Sequence, residues 1–371
     1  MTNIITSFSS KRTHEEAVTE IEAQLSLIKP NLVIFFASSF YKPDSLALRM
    51  QQAFPSATTL GCTTSGEICN NNVLAQSIVA IGFTKEAIGD YHVRINEHMS
   101  TANNIDAIFE SYHENFDESP LDMNPKKYFG LVLFDGLSNK EESFMSHIGA
   151  LTNINFIGGT AGDDQKFIQT HIFHNGKAYL DATLLMLCKP GIPFDFIKTQ
   201  SFDILEQSLT CTKVDPSTRT VIEFNNKPAS IAYADLLGVQ VHRLADYFIK
   251  YPIGMVTEDE LFVRSPLTIT GTSIKFHCNI LENITYQLLK SKSVIADTKI
   301  AIAEKSMTFG HISAMINFNC RLRTVELINS NSLEDYGRIF ENIPTIGFNT
   351  YGEAFIGHMN QTSTILIFGS I

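Results

Sequence analysis

The apolar positions of this chain form short continuous runs that alternate with stretches of helical spacing. A capping-box pattern at Thr13 and Glu16, followed by apolar residues three or four positions apart, predicts a helix that begins near Thr13 and ends before Pro30. Apolar runs typical of strands buried on both faces follow at 31–38, 77–83 and 128–134. Helices and strands that alternate at these lengths predict an α/β fold.

Two turn signals indicate that antiparallel strands are mixed into this pattern. Asn175-Gly176 lies between two alternating segments, which is the strongest short-range signal for a hairpin. Farther on, the segment RTVIEFNNKPAS predicts a strand, a turn through Asn225-Asn226 and the start of a helix. Ser138 and Glu141 form a second capping-box pattern. We therefore predict mixed sheets and a domain boundary near residue 219.

One short motif occurs at both ends of the chain. Thr59–Glu67 and Thr345–Glu353 both follow the pattern T-[L/I]-G-x-x-T-x-G-E, and each is followed by a glutamine and an apolar strand. A weaker third copy, Ile157–Asp163, keeps the T-x-G-acid core. Internal similarity of this kind predicts a duplicated structure. We expect two related mixed-sheet units with a ligand cleft between them.

Each T-x-G-acid loop places a hydroxyl group, a tight glycine turn and a carboxylate close together. Open α/β sheets bind ligands outside the carboxyl ends of their strands, where such loops lie. For any single loop, the alternative is that the acid only caps a helix or pairs on the surface. Three related loops favour a shared site, in which carboxylates suit an ammonium group and threonines suit a carboxylate. The predicted ligand-binding residues are Thr64, Glu67, Asp163, Thr350, Glu353, Asn360 and Gln361.

Composition and charge narrow the classes of function. At 371 residues, two domains are the better expectation. No apolar run is long enough to span a bilayer and the N-terminus lacks a secretory pattern, so we expect a cytoplasmic protein without membrane insertion. A formal net charge of -11 with dispersed basic residues disfavours nucleic acid as a partner.

The six cysteines include no C-x-x-C pair, which disfavours zinc, iron-sulfur and dithiol sites, and we predict no metal. Cys62 follows a strand in a glycine-rich turn, where a hydrolase or transferase could hold its nucleophile. It has no histidine nearby in sequence, and the other two motif copies carry Phe348 and Gly159 at this point. A structural cysteine and a protein that is not an enzyme are therefore favoured.

Several segments, in order and spacing, resemble the FIST family. They are GCTTSGEI at 61–68, LFDGLSNKEE at 133–142, FIGGTAGDD at 156–164 and NTYGEAFIGHMNQTSTILIFG at 349–369. The resemblance covers the chain from about residue 30 and implies a FIST N-like domain at 30–218 and a FIST C-like domain at 219–371. Residues 1–29 contain the N-terminal helix that the capping box predicts. The resemblance also implies a sensory protein for small, amino-acid-like ligands, coupled to a histidine kinase or a cyclic-di-GMP enzyme. STILIFG ends two residues before the C-terminus, so an appended output domain is not expected.

The segments VRSP, FHCNILEN and FNCRLRTVEL resemble sequences of a bacterial branch of this family whose members are stand-alone proteins. That branch implies a nitric oxide sensor with heme b that acts in a two-component system. Heme needs an axial histidine or cysteine in an apolar pocket, and the absence of C-x-x-C-H excludes covalent attachment. The candidate axial ligand is His242, with His277 and His358 as alternatives. A heme-free amino-acid sensor and an enzyme using Cys62 stay open as alternatives.

Overall fold

The computed structural model describes residues 2–257 and 260–370, and its internal contacts divide the chain into two compact units. Unit 1 contains the chain up to Thr199, Thr298–His358 and the residues from Ser363 onwards. Unit 2 contains Gln200–Asp297 and Met359–Thr362. Helices and mixed sheets occur together, so the predicted α/β class is confirmed. The bounds of these units differ from the domain boundary predicted near residue 219, because the last part of the chain returns to unit 1.

Unit 1 is built from three copies of one order of elements: strand, helix, strand, helix, strand, short hairpin, strand. The first copy contains β1 (Ile4–Ser9), α1 (His14–Leu25), β2 (Leu32–Ser38), α2 (Pro43–Ala53), β3 (Thr58–Thr64), β4 (Glu67–Cys69), β5 (Asn72–Leu74) and β6 (Ile78–Phe83). The second contains β7 (Asp90–Glu97), α3 (Ile105–Phe116), β8 (Phe129–Phe134), α4 (Glu141–Leu151), β9 (Phe156–Thr160), β10 (Ile172–His174), β11 (Lys177–Tyr179) and β12 (Ala182–Lys189).

The third copy opens with β13 (Phe194–Gln200) and is then interrupted by unit 2. The interruption contains β14 (Phe202–Asp215), β15 (Thr220–Phe224), β16 (Lys227–Pro228), α5 (Ala229–Leu237), β17 (Ile253–Val256), β18 (Leu261–Arg264), β19 (Pro266–Thr270), β20 (Ser273–Phe276) and β21 (Thr285–Ser291). The third copy resumes with α6 (Val294–Phe309), β22 (Ala314–Cys320), α7 (Arg321–Asn329), α8 (Leu333–Gly337), β23 (Thr345–Thr350), β24 (Glu353–Phe355), β25 (His358–Met359) and β26 (Thr362–Phe368).

The strands of unit 2 form one sheet in the order β18-β17-β21-β14-β15-β20-β19, and β16 pairs with β15. The outer strands β18 and β19 are consecutive in the chain, with only Ser265 between them. Unit 2 has its own apolar core, which includes Cys211, Phe224, Tyr233 and Phe276. Unit 2 is therefore a separate structural unit that is inserted into the sequence of the third copy.

The three copies pair their central strands in the same way. β2 is parallel to β3 and antiparallel to β6, and the same holds for β8 with β9 and β12 and for β22 with β23 and β26. The strands that carry Gly61 and Gly347 are therefore equivalent, as the sequence echo predicts. The weaker copy around Gly158 is equivalent as well, so the similarity extends to three copies.

The short hairpins are exchanged in a cycle. The β10–β11 hairpin of the second copy pairs with β3 of the first, through Phe173 opposite Gly61. In the same way, β24 of the third copy pairs with β9 of the second, and β4 of the first copy pairs with β23 of the third. Each copy thus completes the sheet of another copy, which produces three mixed six-stranded sheets in unit 1.

One glycine in each copy permits a close approach between parallel strands. A Cβ atom on Gly61 would lie 1.7 Å from the carbonyl oxygen of Phe35, and one on Gly158 would lie 1.7 Å from that of Val132. The corresponding distance from Gly347 to the Asn317 oxygen is 2.2 Å. No side chain fits at such distances, so glycine is required by packing at all three positions.

The two faces of the central strands have different neighbours. Phe36, Leu133 and Phe318 point into one central apolar cluster that is shared by all three copies. The opposite faces of β2 and β8 pack beneath their own helices in two further apolar clusters. The core of unit 1 therefore lies where the three sheets meet.

The short-range sequence signals predict some helix starts and turns correctly and miss others. Thr13 Oγ1 accepts a hydrogen bond from the Glu16 amide at the start of α1, and Asn175-Gly176 connects β10 and β11, so both predictions are confirmed. The second capping-box pattern is confirmed in part: α4 spans Glu141–Leu151 as predicted, but its cap residue is Lys140 and not Ser138, whose hydroxyl donates to the Asp135 carbonyl. Within residues 1–29, the prediction of a helix alone misses β1.

Candidate functional site

The first and third T-x-G-acid turns are built alike. Thr64 Oγ1 donates to Glu67 Oε1 and Thr350 Oγ1 donates to Glu353 Oε1, and all four residues are fully buried. Each threonine ends one strand and each glutamate begins the next. These pairs hold the two tight turns in the same geometry.

Glu67 is held in an environment that favours its neutral form. Its Oε2 accepts hydrogen bonds from the Ser77 amide at 3.1 Å and the Ser77 hydroxyl at 2.6 Å. Burial nevertheless dominates and raises the pKa of Glu67 to about 8, while the hydrogen bonds from Ser77 and Thr64 oppose this rise. A neutral Glu67 stabilises the turn without introducing a buried charge.

The second turn uses its acid differently. Asp163 accepts hydrogen bonds from the backbone amides of Phe167, Ile168 and Gln169 and from the hydroxyl of Tyr351 at 2.6 Å. Burial alone would raise the pKa of Asp163, but these donors hold it below its usual range. Asp163 therefore orders the segment that follows it as an ionised carboxylate.

The three turns are joined to one another by hydrogen bonds. The first and third turns meet where the Asn349 amide donates to the Gly66 carbonyl at 2.8 Å. The first and second meet where the Asp164 amide donates to the Thr64 carbonyl at 3.0 Å. The second and third meet where the Thr160 amide donates to the Gly352 carbonyl at 2.9 Å. Three sequence motifs that are far apart in the chain thus form one cluster.

A cavity of about 620 Å³ opens beside this cluster within unit 1. Its volume lies within the range of small-molecule pockets. Its lining contains polar residues and also apolar residues from the β5 region and from the α7–α8 region. The polar lining residues include Ser65, Asp164, Gln165, Lys166, Arg321, Thr324 and Asn349, and the apolar ones include Val73, Leu74, Ile328 and Leu333.

Arg321 and Asp164 place opposite charges on this cavity. Arg321 begins α7 directly after β22, and its buried Nε atom has no hydrogen-bond partner among the residues described. Burial lowers the pKa of Arg321, while the nearby Tyr351 and Asp164 oppose that shift. Asp164 Oδ2 accepts from Ser38 at 2.8 Å and from Ser39 at 2.7 Å, and Lys166 Nζ lies 3.9 Å from it. The cavity lining therefore includes side chains of both charges.

A larger cavity of about 1070 Å³ has a different lining. It is bordered by Asn3, Lys29, Glu86 and Ser370, among others, and none of its lining residues comes from the three turns. Its charged residues Lys29 and Glu86 are solvent-exposed. We therefore place the candidate site at the smaller cavity.

The predicted ligand-binding residues divide into two groups. Thr64, Glu67, Asp163, Thr350 and Glu353 come together in the cluster of turns, although all five are buried and none belongs to the cavity lining. Their predicted contact with a ligand remains a prediction.

The other two predicted residues, Asn360 and Gln361, belong to the short segment counted with unit 2. Gln361 Oε1 accepts from Ser265 at 2.6 Å and its Nε2 donates to the Ile249 carbonyl. Asn360 is fully buried, and neither polar atom of its side chain has a partner within residues 2–257 and 260–370. Whether either residue binds a ligand stays a prediction.

Cys62 lies in β3 and is fully buried in the central apolar cluster. Burial raises the pKa of its thiol well above the usual value. Reactive cysteines have the opposite properties, namely solvent access and a lowered pKa. This environment favours the structural interpretation of Cys62.

The three histidines considered for heme lie in different surroundings. His242 is exposed and His277 is half-buried, whereas His358 is buried with its Nε2 atom 3.7 Å from Glu141 Oε1. No histidine or cysteine lines either of the two cavities described above. The residues of these cavities do not fit a heme with an axial ligand, and heme binding by this chain stays a prediction that an absorption spectrum can test.

Within residues 2–257 and 260–370, no group of three or more histidine, cysteine, aspartate and glutamate residues is placed to hold a metal ion. The described helices include none with the length and apolar character needed to cross a membrane.

The sequence interpretation missed the residues that line the cavity with charge. Arg321 belongs to FNCRLRTVEL, a segment that resembles the family but received no chemical role, and Asp164 follows the predicted Asp163 directly. The position of Arg321 in the sequence could have identified it as a candidate. It directly follows the apolar strand β22, at the same edge of a sheet where the predicted loops lie.

Comparison with known proteins identifies the family. Residues 31–227 match the FIST N domain and residues 229–356 match the FIST C domain. An uncharacterized protein of Methanocaldococcus jannaschii is 22% identical over 297 residues, which cover 72% of this chain and 57% of the archaeal protein. The chain therefore spans less than two thirds of the length of that relative. Because the two domain matches cover most of the chain, it belongs to the FIST family, whose domains are generally sensory domains of signalling proteins.

Proposed function

We propose that this chain is a cytoplasmic sensor that binds a small amino-acid-like ligand in the 620 Å³ cavity and reports its presence to a separate protein. One observation carries the proposal: the lining of this cavity includes Arg321, Asp164 and the apolar residues Val73, Leu74, Ile328 and Leu333. An α-amino acid with an apolar side chain carries the three complementary groups.

The proposed mode of binding follows from the chemistry of the lining. A ligand carboxylate accepts hydrogen bonds from Arg321, whose Nε atom has no partner in the described part of the chain. The ligand ammonium group pairs with Asp164, and the side chain packs against Leu74, Ile328 and Leu333. A carboxylate bound this way satisfies the half-buried guanidinium, which is the main source of the expected affinity.

The test is calorimetric titration with L-leucine, 4-methylpentanoate, which lacks the ammonium group, and isopentylamine, which lacks the carboxylate. We expect L-leucine to bind best. Arg321→Met should weaken L-leucine binding by about 10- to 100-fold, the loss associated with a charged hydrogen bond. Asp164→Asn should weaken L-leucine more than 4-methylpentanoate.

The matched control is Arg338→Met, because Arg338 is an exposed arginine that pairs with Glu334 and Asp335 outside the cavity lining. It should leave the affinity unchanged. Failure of the wild-type chain to bind L-leucine at millimolar concentration, or equal binding by Arg321→Met, would contradict the proposed ligand class.

The partner proposal is that a histidine kinase or a cyclic-di-GMP enzyme responds to the occupied and empty forms of this chain. Binding transmits information when a ligand favours one arrangement of the protein over another. Co-purification with a candidate kinase, followed by kinase assays with and without L-leucine, tests it directly. Equal kinase activity in both conditions argues against a sensor that responds to this ligand.

A further inference from the structure

The third copy departs from the other two beneath its helices. The face of β2 that carries Phe35 and Ala37, and the equivalent face of β8 with Val132 and Phe134, pack in apolar clusters under α1–α2 and α3–α4. At the same register positions, β22 carries Asn317 and Asn319. Both asparagines are fully buried. Beneath the helices, the third copy therefore has a polar layer where the first two copies have an apolar one. The third copy is the one that unit 2 interrupts.

This polar layer begins at the cavity. Asn349 and Thr324 line the cavity, and Thr324 Oγ1 donates to Asn349 Oδ1 at 2.6 Å. Asn319 Nδ2 donates to both residues, at 2.9 Å to Thr324 Oγ1 and 3.1 Å to Asn349 Oδ1. A change in the position of either cavity residue therefore acts directly on the Asn319 amide.

The next residue in the layer is Arg323, whose side chain is almost completely buried, with an exposure of 1%. Its Nε donates to Asn319 Oδ1 at 3.1 Å, its Nη1 to the Thr199 carbonyl at 3.4 Å and its Nη2 to Thr298 Oγ1 at 3.0 Å. These partners are neutral. A buried guanidinium is costly unless its donors are satisfied, so its position depends strongly on all three acceptors.

Thr199 and Thr298 occupy special positions in the chain. Thr199 is the last residue of unit 1 before the chain enters unit 2, and Thr298 is the first residue after it returns. One side chain thus binds both ends of the interruption, which lie 124 and 25 residues away from it in sequence.

We propose that Arg323 is a positioning residue that couples the state of the cavity to the two junctions of unit 2. The coupling runs from Asn349 and Thr324 through the Asn319 amide to Arg323, and from there to Thr199 and Thr298. As a mechanism of ligand response, it rests on the function proposed above. A ligand that moves Thr324 or Asn349 changes the acceptor geometry offered to Arg323 and so changes the order of the junctions.

The network is tested first without ligand, by hydrogen-deuterium exchange of peptides that cover 195–202 and 295–302. Thr324→Val removes a hydroxyl group at the cavity end, and Thr298→Val removes one at the junction end. Each substitution keeps the side-chain shape. We expect Thr324→Val to speed exchange at both junctions about fivefold, the factor that corresponds to the loss of one hydrogen bond of average strength.

The matched control is Thr183→Val, because Thr183 is equally buried and its hydroxyl donates to the Met99 sulfur, outside this network. It should leave both junction peptides unchanged. Unchanged junctions in Thr324→Val would overturn the coupling, as would an equal increase in Thr183→Val, since that indicates general loosening.

The second arm uses L-leucine. In the wild-type chain it should slow exchange at both junctions, whereas Thr298→Val should bind it with the wild-type Kd but show no slowing at 295–302. A slowing in Thr298→Val equal to that in the wild-type chain would overturn the role of Arg323. If L-leucine does not bind, the function proposed above fails, and the ligand-free comparison still decides whether Arg323 couples the cavity to the junctions.

Discussion

The hydroxyl of Tyr351 donates a 2.6 Å hydrogen bond to Oδ1 of Asp163, which joins the third T-x-G-acid turn to the second. The same hydroxyl accepts from the Gln165 amide at 2.9 Å, and the Tyr351 ring stacks on Phe167 at a centroid distance of 4.9 Å. Tyr351 therefore holds the second turn by both polar and aromatic contacts.

Tyr351→Phe should keep the stacking but remove these hydrogen bonds, together with the longer one that the hydroxyl accepts from the Asp163 amide at 3.3 Å. We expect the free energy of unfolding to fall by about 1–3 kcal/mol, because a buried carboxylate loses a donor. Denaturant titration measures the change. Tyr112→Phe is the control, since the Tyr112 hydroxyl is buried without a partner among the described residues, and its removal should be neutral or stabilising. Equal losses in the two variants would contradict the role of the Tyr351 hydroxyl.

Glu67 predicts a specific pH dependence. Its pKa rises from the model-peptide value of 4.5 to about 8 in the folded chain, so the folded state holds a proton that the unfolded state releases. The stability from this proton is complete below about pH 4.5 and is lost as the pH rises to about 8. Glu67→Gln mimics the neutral acid. Relative to this variant, the free energy of unfolding of the wild-type chain should fall by up to about 1.4 kcal/mol per pH unit in this window.

The measurement for Glu67 is the free energy of unfolding of both proteins at pH 5, 6, 7 and 8. The difference between them isolates this residue from other titrating groups. A difference that stays constant across the four pH values would show that Glu67 is already ionised in the folded chain.

Gly61→Ala should be severely destabilising, by about 3 kcal/mol or more, because the new Cβ atom would lie 1.7 Å from the Phe35 carbonyl oxygen. Gly149→Ala provides the contrast. Gly149 lies in α4 and a Cβ atom there meets no atom within 4 Å, so the helix should gain about 0.5–1 kcal/mol. Thermal unfolding of the two variants compares them, and a well-folded Gly61→Ala protein would contradict the close strand packing.

The cysteines predict low chemical reactivity. All six are buried, and burial raises the thiol pKa of Cys62 well above its usual value. Iodoacetamide at pH 7.5 should label fewer than one thiol per native chain in the time in which it labels all six in guanidinium chloride. Rapid and selective labelling of Cys62 in the native chain would revive the interpretation of this residue as a nucleophile.

Short-range sequence signals predicted part of this fold. The Thr13 and Glu16 capping box and the Asn175-Gly176 turn act through neighbouring residues, and both are found where the sequence indicates. The motif echo also identified equivalent strands. It could not show the cyclic exchange of hairpins, because pairs such as Phe173 with Gly61 depend on packing between distant copies.

The candidate site was predicted only in outline. The three turns come together, but the cavity lining includes Arg321, Asp164 and Asn349, whereas Glu67 and Glu353 are buried and do not belong to it. A motif gives residue types and not the direction of a side chain. The contacts of Arg323 could not be predicted either, since its partners Thr199 and Thr298 lie 124 and 25 residues away in sequence and only the fold brings them to its side chain.

The exchanged hairpins have a consequence for the folding of unit 1. Since β3, β9 and β23 are each completed by a hairpin from another copy, a fragment with one copy would expose a strand edge and carry a hairpin without its sheet. Many contacts join residues far apart in sequence, so their formation carries a large loop-closure cost and is expected to be slow and cooperative. Three such fragments would carry complementary strand edges and could pair in a closed cycle. Unit 1 thus has, within a single polypeptide, the pairing scheme of a cyclic trimer.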